Sequence, residues 1–284
     1  MLVFPNCKIN LGLIITGKRA DGYHNLETVF YPIPLNDALE IIHLTDHQQP
    51  SQAIFSQSGF HISGDEKDNL CIKAFYLLLN DFPQLPSIKI HLHKAIPMGA
   101  GLGGGSADAA FTLIALNEKF ALHLTNDELI QYALKLGSDC PFFIVNKPCI
   151  ATGRGEALHP IGLTLSGYRI ILVNPGIHVN TGWAFSQINS LEVDNISQKK
   201  GEPSPASIIS LPVTQWKERL INEFEKPVFE KHGEVKAIKD EFYEKGALYA
   251  AMSGSGSTVY GIFESATQYS FNFPPGYLLY SFLL

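Results

Sequence analysis

Residues 97–110 decide the fold, and they read Pro-Met-Gly-Ala-Gly-Leu-Gly-Gly-Gly-Ser-Ala-Asp-Ala-Ala. Glycine fills five of the seven positions 99–105, although it buries almost no side chain and loses the most conformational freedom on folding. Before this stretch, alternating apolar and polar residues over 88–93 predict a strand that ends by Pro97. After it, apolar residues at helical spacing predict a helix over 106–120. A glycine loop between a strand and a helix gathers backbone N–H groups around an anion, usually a phosphate.

Four common kinds of glycine-rich segment match this loop less well. A merely flexible linker does not ordinarily separate so regular a strand and helix. The Walker loop needs a lysine where this chain has Gly105. The spacing Gly99-x-Gly101-x-x-Gly104 matches the dinucleotide fingerprint, but the acid expected about 20 residues later falls in a helix capping box at 125–128. Protein kinases add His-Arg-Asp and Asp-Phe-Gly motifs, and the sequence contains neither.

The loop resembles the second motif of the GHMP kinases, a family of small-molecule kinases, which reads Pro-x-x-x-Gly-Leu-(Gly)-Ser-Ser-x-Ala. It departs at Ala107, where the family often has a second serine, so one hydroxyl near the nucleotide is missing. The resemblance implies ATP as co-substrate and puts Asn69 and Lys94 beside the adenine. From its own context, Asn69 is a helix N-cap before a helix predicted over 71–79. The further ATP contacts implied are Pro97, Met98, Gly99, Ala100, Gly101, Leu102, Gly103, Gly104, Gly105, Ser106 and Ala107.

Composition limits the partners and the compartment. The 284 residues carry a net charge of −6 without a Lys/Arg tract, which argues against nucleic acid as the main partner. Four cysteines without metal-ligand spacing predict reduced thiols in the cytoplasm. The N-terminus lacks a basic region and a long apolar run, so we expect no signal peptide, and no apolar run approaches the roughly 20 residues of a membrane span.

The N-terminal region contains two blocks whose local patterns leave their function open. A predicted strand over 2–15 carries Lys8 among apolar residues, and a strand lysine usually keeps its amine in solvent at a sheet edge. The turn at 18–24 reads Lys-Arg-Ala-Asp-Gly-Tyr-His and precedes a second predicted strand. Tyr23 and His24 suit a planar polar ligand, although a charged hairpin explains the turn equally well.

Together these blocks resemble one branch of the GHMP kinases. That branch phosphorylates an alcohol that carries a cytidine diphosphate group, in the non-mevalonate route to isoprenoids. Cys7 replaces the usual alanine, a small-for-small change that we expect to be harmless. The resemblance implies that Lys8 is catalytic and that Asn10, Tyr23 and His24 contact the substrate.

Asp139 lies in the stretch Gly-Ser-Asp-Cys-Pro-Phe-Phe at 137–143, after a predicted helix. On local grounds it is a turn residue. The family carries Gly-x-Asp-Val-Pro-Phe-Phe here, which implies that Asp139 is the catalytic base, and Ser138 and Cys140 are small departures from that block. The implied role of Lys8 is to keep this carboxylate ionised and to stabilise the transferring phosphoryl group.

The second half of the chain supplies the remaining implied substrate contacts. Thr181 and Phe185 match positions at which the family contacts cytidine, with the aromatic ring stacking on the base. Trp183 is an alternative for the stacking, and core packing is an alternative for both rings. A second glycine-serine turn resembles the third GHMP motif, which closes over the first glycine loop and the substrate. Its implied substrate contacts are Ser253, Gly254, Ser255 and Gly256.

The resemblance implies the α+β, two-domain GHMP kinase fold. Residues 1–153 would form a ribosomal-protein-S5-like, ATP-binding and catalytic domain, and residues 154–284 a ferredoxin-like, substrate-binding domain. Mg²⁺ is expected with ATP, and Ser106 is the one candidate contact for it. We expect a small-molecule partner with a cytidine diphosphate moiety, no nucleic-acid or membrane partner, and a monomer or weak homodimer.

Two alternatives stay open at this point. Another GHMP kinase, of homoserine or mevalonate type, is disfavoured because its small acceptor would not need the Tyr23-His24 pair. A non-enzymatic nucleotide- or RNA-binding protein is disfavoured because both Lys8 and Asp139 are present.

Overall fold

A computed structural model describes residues 1–45, 51–188 and 203–284. The chain forms two compact units that are interleaved in sequence. Unit 1 comprises Met1–Cys7, Pro32–Met98 and Gly103–Lys147, and unit 2 comprises Lys8–Tyr31, Gly99–Leu102 and Pro148–Leu284. Within the described ranges, every helix is too short or too polar to cross a membrane.

Runs of strands and runs of helices follow one another along the chain, as expected for an α+β fold. The strands are β1 (Leu2–Val3), β2 (Asn6–Lys18), β3 (His24–Asn36), β4 (Ala38–His43), β5 (Ala53–Gly59), β6 (Ile88–Lys94), β7 (Cys149–Thr152), β8 (Ala157–Pro160), β9 (Tyr168–Asn174), β10 (Tyr249–Met252), β11 (Val259–Glu264) and β12 (Leu278–Leu283). The α-helices are α1 (Leu70–Asp81), α2 (Gly104–Lys119), α3 (Asn126–Leu136), α4 (Cys140–Val145), α5 (Thr181–Ser186), α6 (Pro205–Ile208), α7 (Glu225–Lys231) and α8 (Gly233–Glu244). Short 3₁₀ turns occur at Glu66–Asp68 and Val213–Gln215.

Unit 1 builds helices α1 to α4 around a four-stranded sheet of order β1-β4-β6-β5. β6 pairs antiparallel with β4 and parallel with β5. The alternation expected for β6 is confirmed, because Ile88, Ile90 and Leu92 are buried while the polar residues between them are not. Helix α2 packs against α1, α3 and α4 and buries Leu113 and Leu116.

The helix ends of unit 1 follow their sequence signals. Asn69 caps α1, since its side chain accepts a hydrogen bond of 2.8 Å from the Cys71 amide. Thr125 and Glu128 form the expected capping box of α3, and Gly137 follows the last residue of that helix. Each such N-cap stabilises its helix by about 1 kcal/mol.

Unit 2 contains an antiparallel sheet of order β10-β11-β9-β12 and a second sheet of order β2-β3-β7-β8. Helix α8 packs on β10 and β11. The core at this contact includes Ile171, Val173, Val259, Phe242 and Phe263, all inaccessible to solvent. This core holds the strands that precede and follow the glycine-serine turn.

Two predicted elements differ from the structure. The strand over 2–15 is interrupted, since β1 ends at Val3 and Pro5 lacks the N–H group that a sheet ladder requires. The sequence also predicts helices at about 214–226 and 232–244, of which the second is confirmed by α8 and the first is wrong. The residues of the first instead form a 3₁₀ turn and then an extended stretch, in which the Ile221 carbonyl accepts from the Leu13 amide and the Glu223 amide donates to the Leu13 carbonyl.

The polar, proline-rich composition of residues 199–207 predicts a surface loop, and the structure describes only the part of it from residue 203 onward. Residues 199–202 lie outside the described residues, whereas Pro205 opens the short helix α6. Ser204 caps that helix, so a serine followed by proline acts here as a helix start rather than as a loop.

Candidate active site

The glycine loop has the backbone that its composition predicts. Gly99, Gly101 and Gly103 have φ angles of 62°, 77° and 71°, in the left-handed region that favours glycine. Helix α2 begins at Gly104, slightly before the predicted start at Ser106. Gly103 precedes it without a side-chain cap, so the first N–H groups of α2 are open to an anion.

Within unit 2, the glycine-serine turn contacts the glycine loop. The Ser253 hydroxyl donates a hydrogen bond of 2.8 Å to the Gly101 carbonyl, and the Thr258 amide donates one of 3.2 Å to the Ala100 carbonyl. A Cβ atom on Gly101 would lie 1.9 Å from the Ser253 carbonyl oxygen. The two turns therefore approach as the third-motif resemblance implies, and only glycine fits at position 101.

Lys8 is buried in unit 2 and retains 4% of its accessible surface. Its Nζ donates a hydrogen bond of 2.5 Å to Asn10 Oδ1 and lies 4.7 Å from the centre of the Phe30 ring. Its backbone amide donates to the carbonyl of Leu102 in the glycine loop, at 3.0 Å. The alternative of an edge-strand lysine with its amine in solvent is therefore excluded.

Asn10 holds Lys8 in place. Its side-chain Nδ2 donates to Thr28 Oγ1 at 3.0 Å, while its Oδ1 accepts from Lys8. Its backbone amide donates to Ser253 Oγ at 3.2 Å, and its carbonyl accepts from the Tyr260 hydroxyl at 2.8 Å. Both polar atoms of the Asn10 side chain are thus engaged with protein groups, and the residue links Lys8 to the glycine-serine turn.

We use the name aromatic platform for three residues, Tyr23, His24 and Phe185, of which the last two are in ring contact. The His24 and Phe185 rings stack nearly parallel, with centres 5.2 Å apart and an angle of 11°. Phe224 supports Phe185 edge-on at 4.8 Å, and the Tyr23 ring is 59% exposed. Thr181 lies one helical turn before Phe185 on α5, and its hydroxyl is 3.0 Å from that of Ser255.

Trp183 has a different environment from Phe185. The Lys231 ammonium lies 4.0 Å from the centre of its ring, and His232 contacts its edge. Of the two aromatic residues that the sequence left open for base stacking, Phe185 is the one that lies beside His24.

Arg154 lies in the stretch Thr-Gly-Arg-Gly-Glu at 152–156, which resembles another block of the GHMP kinase branch, but the sequence alone assigns it no function. The guanidinium carbon lies 5.2 Å from the centre of the Tyr23 ring, in cation–π contact. Glu156 approaches both ends of the residue, since its carboxylate accepts a 2.5 Å hydrogen bond from the Arg154 amide and lies 3.5 Å from Nε. Arg154 is therefore a further residue beside the platform. The sequence could not pair it with Tyr23, because the two residues lie far apart in the chain.

His24 is neutral at physiological pH. Its partial burial lowers the pKa below the ordinary value of 6.5, and the charge of Lys18 adds to the effect. A neutral imidazole offers one hydrogen-bond donor and one acceptor, as recognition of a polar base requires.

Asp139 lies at the N-terminus of α4 in unit 1, half-buried and in helical conformation with φ −84° and ψ −16°. Its carboxylate does not cap the helix. The neighbouring Cys140 contacts the Ser106 hydroxyl, and burial raises the pKa of the Cys140 thiol to about 12. Cys140 therefore stays protonated at neutral pH.

Unit 1 also contains a cavity of about 400 Å³. This volume lies within the range of small-molecule sites, roughly 300–1,000 Å³. Among the residues expected at the nucleotide, Asn69, Met98 and Gly105 line it. The other lining residues are Phe55, Ser56, Gln57, His61, Ile62, Ser63, Gly64, Asp65, Glu66, Asp68, Leu70, Cys71 and Asp108.

Lys94 does not line this cavity, because its ammonium is enclosed by the Asp37 and Asp108 carboxylates and its side chain is inaccessible. Burial alone would lower the pKa of Lys94, but the two carboxylates outweigh burial and raise it. Burial and the nearby Asp37 carboxylate raise the pKa of Asp108 in spite of Lys94. Lys94 is therefore an interior cation, and the member of this group that reaches the cavity is Asp108.

Protein side chains do not form a metal cage in the part of the chain that is described. It contains no group of three or more His, Cys, Asp or Glu residues that could hold a metal ion. Mg²⁺ usually keeps several waters and binds through one or two protein oxygens plus substrate phosphates. The half-buried Ser106 hydroxyl in the first turn of α2 is compatible with that mode.

Comparison with known proteins gives the family. Residues 69–147 match the sequence model of the GHMP kinases N terminal domain, and residues 214–269 match that of the GHMP kinases C terminal domain. A protein of Bacteroides fragilis is 54% identical over 264 residues, which cover 93% of this chain and 92% of the relative. A protein of Porphyromonas gingivalis is 44% identical over 269 residues, 94% of each chain. Both are named 4-diphosphocytidyl-2-C-methyl-D-erythritol kinase.

The chain belongs to the 4-diphosphocytidyl-2-C-methyl-D-erythritol kinase family of GHMP kinases. It is therefore an ATP-dependent small-molecule kinase.

Solved structures confirm the two-domain GHMP kinase fold. A crystal structure of 4-(cytidine 5'-diphospho)-2C-methyl-D-erythritol kinase has a TM-score of 0.72 and 30% identity, and the match covers 92% of this chain and 90% of the other. The Methanococcus jannaschii mevalonate kinase has a TM-score of 0.68 and 16% identity, and the match covers 94% of this chain and 92% of the other. A homoserine kinase of Cytophaga hutchinsonii has a TM-score of 0.65 and 14% identity, and the match covers 92% of this chain and 86% of the other. At such low identity, these last two share the fold alone with the 4-diphosphocytidyl-2-C-methyl-D-erythritol kinase family.

Proposed function

We propose that the protein transfers the γ-phosphoryl group of ATP to the 2-hydroxyl of 4-diphosphocytidyl-2-C-methyl-D-erythritol. The products are ADP and the 2-phosphate, and the reaction serves the non-mevalonate route to isoprenoid precursors. The hydroxyl oxygen bonds to the γ-phosphorus while the bond to the β–γ bridging oxygen breaks, and the hydroxyl proton passes to a protein base.

The observation that carries the proposal is the aromatic platform in the same unit as the buried Lys8. The stacked rings of His24 and Phe185, with the exposed Tyr23 next to His24 in the chain, suit a pyrimidine base, because stacking and a neutral imidazole together recognise a planar polar ring. A small acceptor such as homoserine or mevalonate has no ring that would use it. The platform therefore supports cytosine recognition, with Thr181 and Ser253–Gly256 as further substrate contacts.

ATP binds through backbone groups in this proposal. The amides of Gly99–Ser106 and the open N-terminus of α2 hold the β- and γ-phosphates, and the adenosine occupies the cavity beside Asn69. Backbone donors explain how a chain of net charge −6 binds a polyanion without a lysine in the loop. Mg²⁺ accompanies the nucleotide, where it neutralises phosphate charge, and Ser106 is its proposed protein contact.

Two side chains supply the chemistry. Asp139 accepts the proton of the attacking hydroxyl, and Lys8 stabilises the charge that develops on the transferring phosphoryl group. Burial supports the role of Lys8, because a cation screened little by water interacts strongly with phosphoryl oxygens.

We propose the cytoplasm as the site of action, supported by four buried, free cysteines. The functional division proposed is an ATP-binding, catalytic part at 1–153 and a substrate-binding part at 154–284, with the Tyr23-His24 turn of the first contributing to the platform. A monomer or weak homodimer, without nucleic acid or membrane, is sufficient for the reaction.

The test is ADP release by the purified protein with ATP and each of three acceptors: the cytidylyl substrate, homoserine and mevalonate. We expect release with the cytidylyl substrate alone. Release with homoserine or mevalonate instead would contradict the assignment of the platform to cytosine, and absence of release with all three would contradict the proposed reaction.

A further inference from the structure

Strand β12 forms one edge of the sheet β10-β11-β9-β12 in unit 2. In its antiparallel pairing with β9, the Leu284 amide donates a hydrogen bond of 3.0 Å to the Tyr168 carbonyl. Backbone groups alternate in direction along such a strand, so residue 284 and the even-numbered residues before it face β9. The N–H and C=O groups of Leu279, Ser281 and Leu283 therefore point away from the sheet, and no described residue hydrogen-bonds to them.

The opposite edge of the same sheet, strand β10, is closed by side chains. The Tyr243 hydroxyl accepts from the Ala250 amide and donates to the Ala250 carbonyl, both at 3.1 Å. The Met252 amide donates to the Glu225 carboxylate, and the Met252 carbonyl accepts from the Asn222 side chain, both at 2.8 Å. The chain thus satisfies the outward backbone groups of β10 internally, whereas β12 presents its own to the surroundings.

The sequence of β12 lacks the features that usually keep an edge strand from pairing with another chain, namely charged residues, proline and bulges. Residues 278–284 read Leu-Leu-Tyr-Ser-Phe-Leu-Leu, without a charge or a proline, and their register with β9 is unbroken. Leu279 and Leu283 are 45% and 61% exposed. An exposed and uncharged edge of this kind suits a second strand of the same apolar character.

A second copy of β12 matches this edge in both hydrogen bonds and side chains. A two-fold axis at Ser281 places Leu279 opposite Leu283 of the second copy and Ser281 opposite itself. Each of these pairs exchanges two hydrogen bonds, so every outward N–H and C=O group finds a partner. On the other face, the half-buried Tyr280 lies opposite the half-buried Phe282 of the second copy. Aromatic cross-strand pairs of this kind stabilise strand pairing.

We propose that β12 is the interface of a homodimer, in which two copies of the chain pair edge to edge as antiparallel strands about a two-fold axis at Ser281. The two four-stranded sheets then form one continuous sheet of eight strands. Charge also favours this arrangement. Two chains of net charge −6 repel one another, and β12 joins them through strands that carry no charge. Dimerisation of this kind does not depend on the proposed reaction.

Sedimentation equilibrium of the purified protein measures the dimer directly. An interface built on one strand pair is small, so we expect a dissociation constant of roughly 1–100 μM. Over this concentration range the mass should rise from the 31.3 kDa of one chain toward twice that value.

A double variant and its matched control test whether β12 is the interface. Leu279→Lys/Leu283→Lys places lysines opposite one another at both ends of the strand pair, so the dissociation constant should rise at least tenfold. Leu2→Lys/Ile42→Lys is the control, since it adds the same charge in unit 1 at side chains that are 57% and 44% exposed. The control should dimerise like the wild type.

Ser281→Cys tests the position of the two-fold axis. The four native cysteines are buried, so the new thiol would be the exposed one. In the proposed dimer the two copies of residue 281 have Cα atoms about 5.5 Å apart, within the range of a disulfide or a short thiol cross-linker. Cross-linked dimer should form in this variant and not in Ser210→Cys, which replaces an exposed serine after α6.

A wild-type mass that stays at 31.3 kDa throughout the concentration range would overturn the proposal and leave the edge to a different partner. A dimer that is equally stable in the β12 variant and in its control would assign the interface to another surface. Equal cross-linking of Ser281→Cys and Ser210→Cys would contradict the two-fold axis at Ser281. The wild-type measurement decides the question even if a variant does not fold.

Discussion

Lys8 carries its positive charge in the interior of unit 2, between the Asn10 carboxamide and the Phe30 ring. Burial of an ammonium group is costly unless polar groups solvate it, and the Asn10 oxygen at 2.5 Å does so. Burying the Lys8 ammonium has a function if its charge acts where water is excluded, since Coulomb interactions with phosphoryl oxygens are stronger there. This is the residue-level argument for its proposed role.

Replacing the proposed base should reduce turnover without loss of fold. For Asp139→Asn we expect kcat to fall roughly 10²–10⁴-fold, the range for loss of general-base catalysis, while KM for ATP stays close to wild type. Steady-state kinetics and a thermal melt measure both. Ser138→Ala, at the preceding position, is the control and should keep wild-type turnover. A folded Asp139→Asn protein with near-normal kcat would exclude the base role.

Arg154 should contribute to acceptor binding through Tyr23. Removing the guanidinium in Arg154→Ala frees the Tyr23 ring, so KM for the cytidylyl substrate should rise roughly threefold to thirtyfold, in line with a cation–π contact. Arg154→Lys keeps the charge without the planar group and should recover part of the loss. KM for ATP should not change in either variant, and an equal rise in both KM values would point to general destabilisation instead.

The pH dependence of acceptor binding should follow His24. Because burial and Lys18 depress its pKa below 6.5, the imidazole is mostly neutral at that pH, and its protonated fraction grows as the pH falls further. The KM for the cytidylyl substrate should therefore be flat on the neutral side and rise as the pH falls below 6.5. In His24→Gln, which keeps a donor and an acceptor, this rise should disappear. A rise of the same size in His24→Gln would assign it to another group.

Among the elements, the glycine loop depends on its contact with the glycine-serine turn. A methyl group at position 101 would collide with the Ser253 carbonyl, whereas at position 105 its nearest neighbour is the Met98 methyl at 4.0 Å. Gly101→Ala should therefore abolish most ATP turnover, and Gly105→Ala, which keeps its amide, should retain it. Both variants can be followed by ADP release and thermal melting. Full activity in Gly101→Ala would show that the close approach is not required.

Elements with local signals were predictable from the sequence. Asn69, Thr125 and Gly137 mark helix ends through their own side chain or backbone, and β6 follows from its alternation. The stretch around 220–223 was not predictable, because its backbone hydrogen bonds go to the distant Leu13. Local propensity cannot anticipate a partner that the chain supplies from another region.

The candidate site also contains residues whose role the local sequence could not predict. Lys8 and Asp139 have local patterns that favour a solvent lysine and a turn residue, and it was the resemblance that assigned them to catalysis. The pairs Arg154–Tyr23 and Lys94–Asp37 join residues far apart in sequence, so no spacing rule connects them.

For the molecule as a whole, the sign of the net charge does not describe the charge near the proposed phosphate site. The net charge is −6, yet the groups proposed to meet phosphate are the N-terminus of α2, the loop amides and Lys8. Such an arrangement brings positive potential to a phosphate site without a basic tract in the sequence.

The measurement that tests the central claim most directly is the NMR spectrum of the product formed from ATP and 4-diphosphocytidyl-2-C-methyl-D-erythritol. Carbon 2 carries a methyl group and no hydrogen, so a phosphate on its oxygen gives a ³¹P signal without three-bond coupling to a proton. We expect one new signal of this kind, with the diphosphate signals retained and ADP formed in equal amount. A new phosphorus signal split by neighbouring protons, or no new phosphate ester at all, would contradict the account.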